Sequence, residues 1–200
     1  MKKASITKEI FVLTVKLFVI CFIVAGLLGF INSITAPIIE SNEEKEFDAS
    51  MQQLLPDAKE FEEIEDIGFA SSESGVELES LYKGVDGESI CGYVASTVCH
   101  EGYGGDINVM VGITDEFKVA QIKIMSMSET AGLGAKAGTD EFSGQYVGLK
   151  AGIGVEKNNG GSSDDNTISA ISGATVTSKA VTKAVNCALE AAMKEGGQNE

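Results

Sequence analysis

From Ile10 to Ile34 the chain is almost wholly apolar, with Lys16 the only charge, a run long enough to cross a bilayer as a helix. Lys16 can snorkel to the interface. A cleaved signal is the competing reading, but the run exceeds a normal signal core, and the nearest small-residue site, Ser33-Ile34-Thr35-Ala36, is followed by Pro37. Residues 35–60 then read as a polar helical stalk broken by Pro56. Between 61 and 90, acidic and apolar residues mix around Gly84 and Gly87, which suggests short strands and turns. Cys91–Val98 is β-branched and aromatic enough for a strand, and Gly102-Tyr103-Gly104-Gly105 follows as a turn. Ile107, Val109, Val111 and Ile113 alternate with polar or small positions, as do Ile122 and Ile124 beyond Asp115–Lys118, which predicts a β-hairpin. Phe142, Tyr146 and Leu149 have the spacing of a short helix, packed as core. Residues 156–167 are too polar and Gly-rich to bury anything and are expected as an exposed, mobile loop. Ile168, Ala170 and Ile171 alternate incompletely with Ser169. Last, Ala180/Val181, Ala184/Val185, Ala188/Leu189 and Ala192/Met193 recur every four residues, the stripe of an amphipathic helix.

This pattern divides the chain into a cytoplasmic tail (1–9), a transmembrane helix (10–34), a stalk (35–60), one extracytoplasmic domain (61–195) and a disordered tail (196–200). Orientation follows from charge. Lys2, Lys3 and Lys8 precede the apolar run while Glu40, Glu43, Glu44 and Glu46 follow it, so the N-terminus is expected inside and the domain outside.

The net charge is −15, and because residues 1–34 carry a small positive excess, the rest is more acidic still. Nucleic acid is therefore excluded as a natural partner. Every basic residue is lysine, so phosphate recognition would rest on backbone amides, hydroxyls and lysines rather than guanidinium forks. Cys21, Cys91, Cys99 and Cys187 form no C-x-x-C or compact cluster, and His100 is the sole histidine, which argues against a metal site or a catalytic triad. Cys187 borders the last helix's apolar face as a small hydrophobe. A Cys91–Cys99 disulfide is open to an outward-facing domain, although a shared strand would hold the two too far apart.

The candidate chemistry lies at Ser172-Gly173-Ala174-Thr175-Val176-Thr177-Ser178, a turn without bulky side chains opening onto the last helix. Hydroxyls at Thr175, Thr177 and Ser178 stand where a helix N-terminus needs caps, and its free N–H groups and dipole favour an anion such as phosphate. Taken alone, such a turn equally fits a capped helix packing closely on a sheet. No base stands beside Thr175 in sequence, so its hydroxyl has no means of attacking a nucleotide unaided.

The same seven residues resemble the flavinylation motif of the FMN-binding domain shared by the G subunit of Rnf electron-transport complexes and the C subunit of sodium-translocating NADH:quinone oxidoreductases. A second phrase, Met127-Ser128-Glu129-Thr130-Ala131-Gly132-Leu133-Gly134, resembles that family's H-x-E-T-P-G-L-G at Glu129, Thr130, Gly132, Leu133 and Gly134, and departs at Met127 and Ala131. A third departure is Ser169, where many members place an aspartate. The resemblance implies an α+β FMN-binding domain of antiparallel strands with packed helices, preceded by one N-terminal transmembrane helix. It further implies FMN joined to Thr175 through a phosphoester by a separate flavin transferase, with Ser172, Gly173, Ala174, Thr177 and Ser178 around it and the 129–134 loop nearby. Lys179 or Lys183 is expected to help hold the phosphodiester. The implied role is an electron-relay subunit in the cell membrane, a redox part of an ion-translocating ferredoxin:NAD oxidoreductase that is not catalytically complete alone and works with other subunits. Two other readings stand beside it: the C subunit of the quinone reductase, and an anchored ligand-binding or sensory module without flavin.

Overall fold

In the computed structural model, which describes all residues except 1, 2, 66–68, 70, 88, 158–160 and 198–200, the chain divides into two units at Asp48/Ala49. The first unit is helical. Helix α1 (Lys3–Leu54) runs through both the apolar run and the segment expected as a separate stalk, with Pro37 inside it and Pro56 just beyond its end. Within Ile10–Leu54 lies a window of mean hydropathy 2.7, apolar and long enough to cross a membrane, and the side chains of residues 10–39 are exposed.

Alternation of apolar and polar positions builds the second unit around a five-stranded antiparallel sheet, β1 (Glu60–Glu63), β2 (Val76–Asp86), β3 (Ser89–Cys99), β4 (Ile107–Thr114) and β5 (Val119–Met127), in chain order. The expected hairpin is β4–β5, with Val111 opposite Ile122 and Val109 opposite Ile124. Register shifts at Asn108/Val109 and Gly112/Ile113 absorb the break in alternation. Cys91 and Cys99 lie near opposite ends of β3, and both are free.

Helix α3 (Thr175–Gly196) covers one face of the sheet. Its Ala180, Val181, Ala184, Val185, Ala188 and Leu189 are buried against Leu81, Ala95, Val109, Val111 and Ile113. The burial is broader than the sequence stripe: Thr177, Ser178, Thr182, Asn186 and Cys187 are buried too, while Met193, at the end of the stripe, is 47% exposed. Thr97 Oγ1 donates to Val109 O and Ala184 O, joining helix to sheet without an orphaned hydroxyl.

The opposite face is closed by the end of α1 and the turn after it, where Met51, Leu54, Leu55 and Ala58 are buried. Glycines in the strands make room for them. A Cβ on Gly112 would stand 2.6 Å from Leu54 O, and one on Gly84 would stand 2.5 Å from the Leu55 side chain. Gly112→Val is therefore expected to cost about 2 kcal/mol by overpacking, read as a lowered denaturant midpoint with the slope unchanged.

Between β5 and α3 the chain forms a 3-10 turn (Gly134–Gly138), helix α2 (Asp140–Ser143), and the short parallel pair β6 (Gly154–Glu156) and β7 (Thr167–Ser169). Phe142, Tyr146 and Leu149 are core, but the short helix their spacing implied is broken: Phe142 lies in α2, Tyr146 in a 3-10 turn (Gly144–Tyr146) and Leu149 beyond both. The loop expected over 156–167 is tied down where it is described: Gly161 N–H donates to Ser169 Oγ, and Asn166 exchanges hydrogen bonds with the Lys150 backbone. Residues 158–160 of that loop, and 198–200 of the expected disordered tail, lie outside the described residues; α3 itself continues to Gly196.

Candidate functional site

Two segments far apart in sequence meet at the N-terminal end of α3. The first leaves β5, passes Glu129 and turns at Gly132, whose φ of +77° suits glycine. Thr130 O accepts the N–H groups of Leu133 and Ala135, closing the turn. The second leaves β7 and turns at Gly173, which has φ +80° and leaves only 3.2 Å between its would-be Cβ and the Leu133 side chain. Ala174, not a hydroxyl residue, is the N-cap of α3, and it makes no side-chain cap bond.

That last point corrects the expectation that Thr175, Thr177 and Ser178 cap the helix. The hydroxyls of Thr177 and Ser178 point elsewhere. Ser178, fully buried, accepts from Ile171 N–H at 2.9 Å and donates to Ala174 O at 3.0 Å, pinning the loop on both sides of Gly173. Thr177 Oγ1 donates to Glu129 Oε2 at 3.0 Å. Among the described residues, the N–H groups of Thr175, Val176 and Thr177 therefore have no acceptor, the usual condition of an uncapped first turn. The Thr175 side chain is half-buried.

These segments enclose a pocket of about 500 Å³, lined by Glu129, Thr130, Leu133, Gly134, Gly173, Ala174, Thr175, Val176, Thr177 and Tyr103. Both sequence phrases contribute to it. Of the predicted residues, Gly132 shapes the loop without lining the pocket, Ser178 lies buried beneath it, and Ser172 faces a neighbouring hollow with Gln145 and Ser169. Gly134 must be small, because a Cβ there would stand 2.4 Å from Glu129 Oε2 and 2.8 Å from Thr177 Oγ1. Tyr103 and Val176 were not singled out from the sequence. The Gly102–Gly105 turn was read only as a turn, although an aromatic residue flanked by glycines is a signal for an exposed ring.

The charges differ from expectation. Lys183 does not serve the pocket: its Nζ pairs with Glu101 at 2.8 Å and bonds Ser74, and the Glu101 carboxylate raises its pKa while Lys183 lowers that of Glu101. Lys179, exposed one turn beyond Thr175, remains the nearer cation in sequence. His100 lies away from the pocket, its Nδ1 2.9 Å from Asp106 Oδ1, and this hydrogen bond raises its pKa above the ordinary value. The sign of the linkage follows: any stability from this pair is present below the unfolded histidine pKa and is lost as pH rises through the folded one. Asp106→Asn is expected to return the His100 pKa toward its ordinary value, followed by NMR titration.

A pocket at a helix N-terminus, with three N–H groups that have no acceptor among the described residues and the exposed side chains of Tyr103, Leu133 and Val176 in its lining, offers donors to an anionic group beside apolar surface. The family model described as FMN-binding domain matches residues 102–190, spanning both phrases and most of α3. Over nearly the full length, the chain is 34% identical to the G subunit of the Na(+)-translocating ferredoxin:NAD(+) oxidoreductase complex of Acetobacterium woodii, covering 92% of this chain and 91% of that protein. It is 33% identical to the proton-translocating counterpart of Clostridium ljungdahlii, covering 95% of each. The chain thus belongs to the family of Rnf complex G subunits with an FMN-binding domain. Among solved structures it shares its fold with the C subunit of the Na(+)-translocating NADH-quinone reductase of Parabacteroides distasonis (TM-score 0.54, 18% identity, 70% of this chain and 78% of that one). NqrC of Shewanella oneidensis is similar at TM-score 0.52 and 17% identity, over 60% of this chain and 59% of that one.

Proposed function

We propose that this chain is the flavin-carrying electron-relay subunit of a membrane-bound, ion-translocating ferredoxin:NAD oxidoreductase, holding FMN through a phosphoester to Thr175. The observation that carries the reading is Thr175 itself, in the wall of the pocket beside three N–H groups without acceptors among the described residues. FMN fits this donor set. The N–H groups of Thr175, Val176 and Thr177 suit a phosphodiester, and the rim of Tyr103, Leu133 and Val176 offers apolar surface to a flat ring. When bound, FMN would supply one- and two-electron chemistry.

The chain's own residues bind and position. Gly173 and Gly134 let the two loops close to contact, and Ser178 holds the approach to Thr175 in one conformation. Glu129, the carboxylate in the described pocket lining, accepts from Thr177 Oγ1 and Gly104 N–H and makes no hydrogen bond to Thr175, which supports attachment by a separate flavin transferase. The domain then lies outside the cell membrane, with residues 10–34 as the span, the N-terminus in the cytoplasm, and the other subunits of the complex as partners. The full-length likeness to G subunits favours this over the C subunit of the quinone reductase, which matches at 17–18% identity.

The test is the full chain produced in membranes together with a flavin transferase. Flavin fluorescence is expected to survive denaturation and gel separation, with peptide mass spectrometry placing the added mass on the peptide containing Thr175. A colourless chain from a host shown to flavinylate another acceptor overturns the assignment.

A further inference from the structure

Glu129 has one carboxylate and three neighbours that come from different parts of the chain. Its Oε2 accepts from Thr177 Oγ1 on the first turn of α3, at 3.0 Å, and its Oε1 accepts from Gly104 N–H in the turn that carries Tyr103, at 3.2 Å. Gly134 lies so close that no side chain could stand between it and Oε2. The carboxylate therefore ties the Gly102–Gly105 turn to the helix that bears Thr175, and it does so from inside the pocket wall. Gly104 is itself pressed on the Ser128 backbone, since a Cβ there would meet Ser128 O at 2.0 Å, so the turn has one position to occupy.

We infer that Glu129 is a positioning residue with two separable effects on a flavin held at Thr175: its hydrogen bonds set Tyr103 at the pocket rim, and its negative charge disfavours reduction of the ring. The inference rests on the proposed function above. The electrostatic part follows from charge balance. A flavin that takes up two electrons from a reductant and one proton from solvent gains one unit of negative charge, and a carboxylate lining the same pocket opposes that gain. Among the described residues, no lysine or arginine lines the pocket to offset it.

Glutamine separates the two effects, because its amide offers an oxygen to Gly104 N–H and a nitrogen to Thr177 Oγ1, yet carries no charge. The flavin content of Glu129→Gln is measured first, and its potential is read on the flavin-loaded fraction of the full chain. Titrated with dithionite against a reference dye, it is expected to favour reduced flavin about tenfold more at a fixed poise, which is about 30 mV for a two-electron couple. Glu129→Ala should lose both ties, so that amide exchange at Gly104 rises at least tenfold over the unsubstituted chain, whereas Glu129→Gln keeps Gly104 protected. The exchange measurement needs no flavin, so it reads the positioning role even where the chain is unloaded. A Glu129→Gln chain with an unchanged potential overturns the charge effect. A Glu129→Ala chain whose Gly104 stays protected overturns the positioning effect. Failure of the unsubstituted chain to take flavin instead counts against the proposed function, and is told apart by that control.

Discussion

Replacing Thr175 by alanine is expected to remove all flavin that survives denaturation, with no comparable loss of stability. The Thr175 side chain is half-buried at the pocket wall, and among the described residues its hydroxyl has no hydrogen-bond partner, so folding loses little with it. Substitutions of this kind usually fall within about 0.5 kcal/mol, which for a domain of this size is a shift of roughly 2 °C in the thermal midpoint. Thr175→Ser keeps an oxygen at the same place and is expected to load flavin in part, at a rate set by the lost methyl contact. The measurement is in-gel fluorescence of both variants beside the unsubstituted chain, with thermal melts of each. Fluorescence persisting in Thr175→Ala would move the attachment to another hydroxyl, Thr177 being the nearest in the pocket lining.

The opposite signature is expected at Asn186, three turns further along α3. Its side chain is buried, Oδ1 accepts from Gly152 N–H and Ile153 N–H, and Nδ2 donates to Ile153 O. One amide thus satisfies three backbone groups of the segment that leads into β6. Asn186→Ala leaves the two buried Ile153 groups with no replacement, and the expected loss is about 3 kcal/mol, or roughly 6–12 °C in the thermal midpoint. Flavin attachment at low temperature should persist, because Thr175 and its loop are untouched. A melt unchanged by the substitution would mean that water replaces the amide.

Much of this architecture could be read before any coordinates. The β4–β5 hairpin followed from alternation on each strand, and α3 from a four-residue apolar repeat, because each pattern answers to one geometric period. The two phrases at 129–134 and 172–178, distant in sequence, each contribute residues to one pocket, although Gly132, Ser172 and Ser178 do not line it. Their detailed roles were not legible. Hydroxyls at the start of a helix ordinarily serve as caps, but here Ser178 and Thr177 turn toward Ile171 and Glu129, contacts that depend on how the loops fold back. Tyr103 reaches the pocket from a separate turn, a relation that sequence spacing does not encode. Gly84, read as turn punctuation, sits instead within β2 against Leu55 and Ala58 in the turn after α1, while Gly112 in β4 is approached by Leu54 at the end of α1. The pair β6–β7 is three residues a side, too short for any periodicity to register.

The double grip of Ser178 on the approach to Thr175 has a bearing on how the chain would be matured. Under the proposed function, a transferase coming to that threonine would meet a moulded surface, not a slack string of seven letters. Recognition can then read contour as well as spelling, and a loose synthetic heptapeptide of the same composition would make a poor substitute for the folded protein.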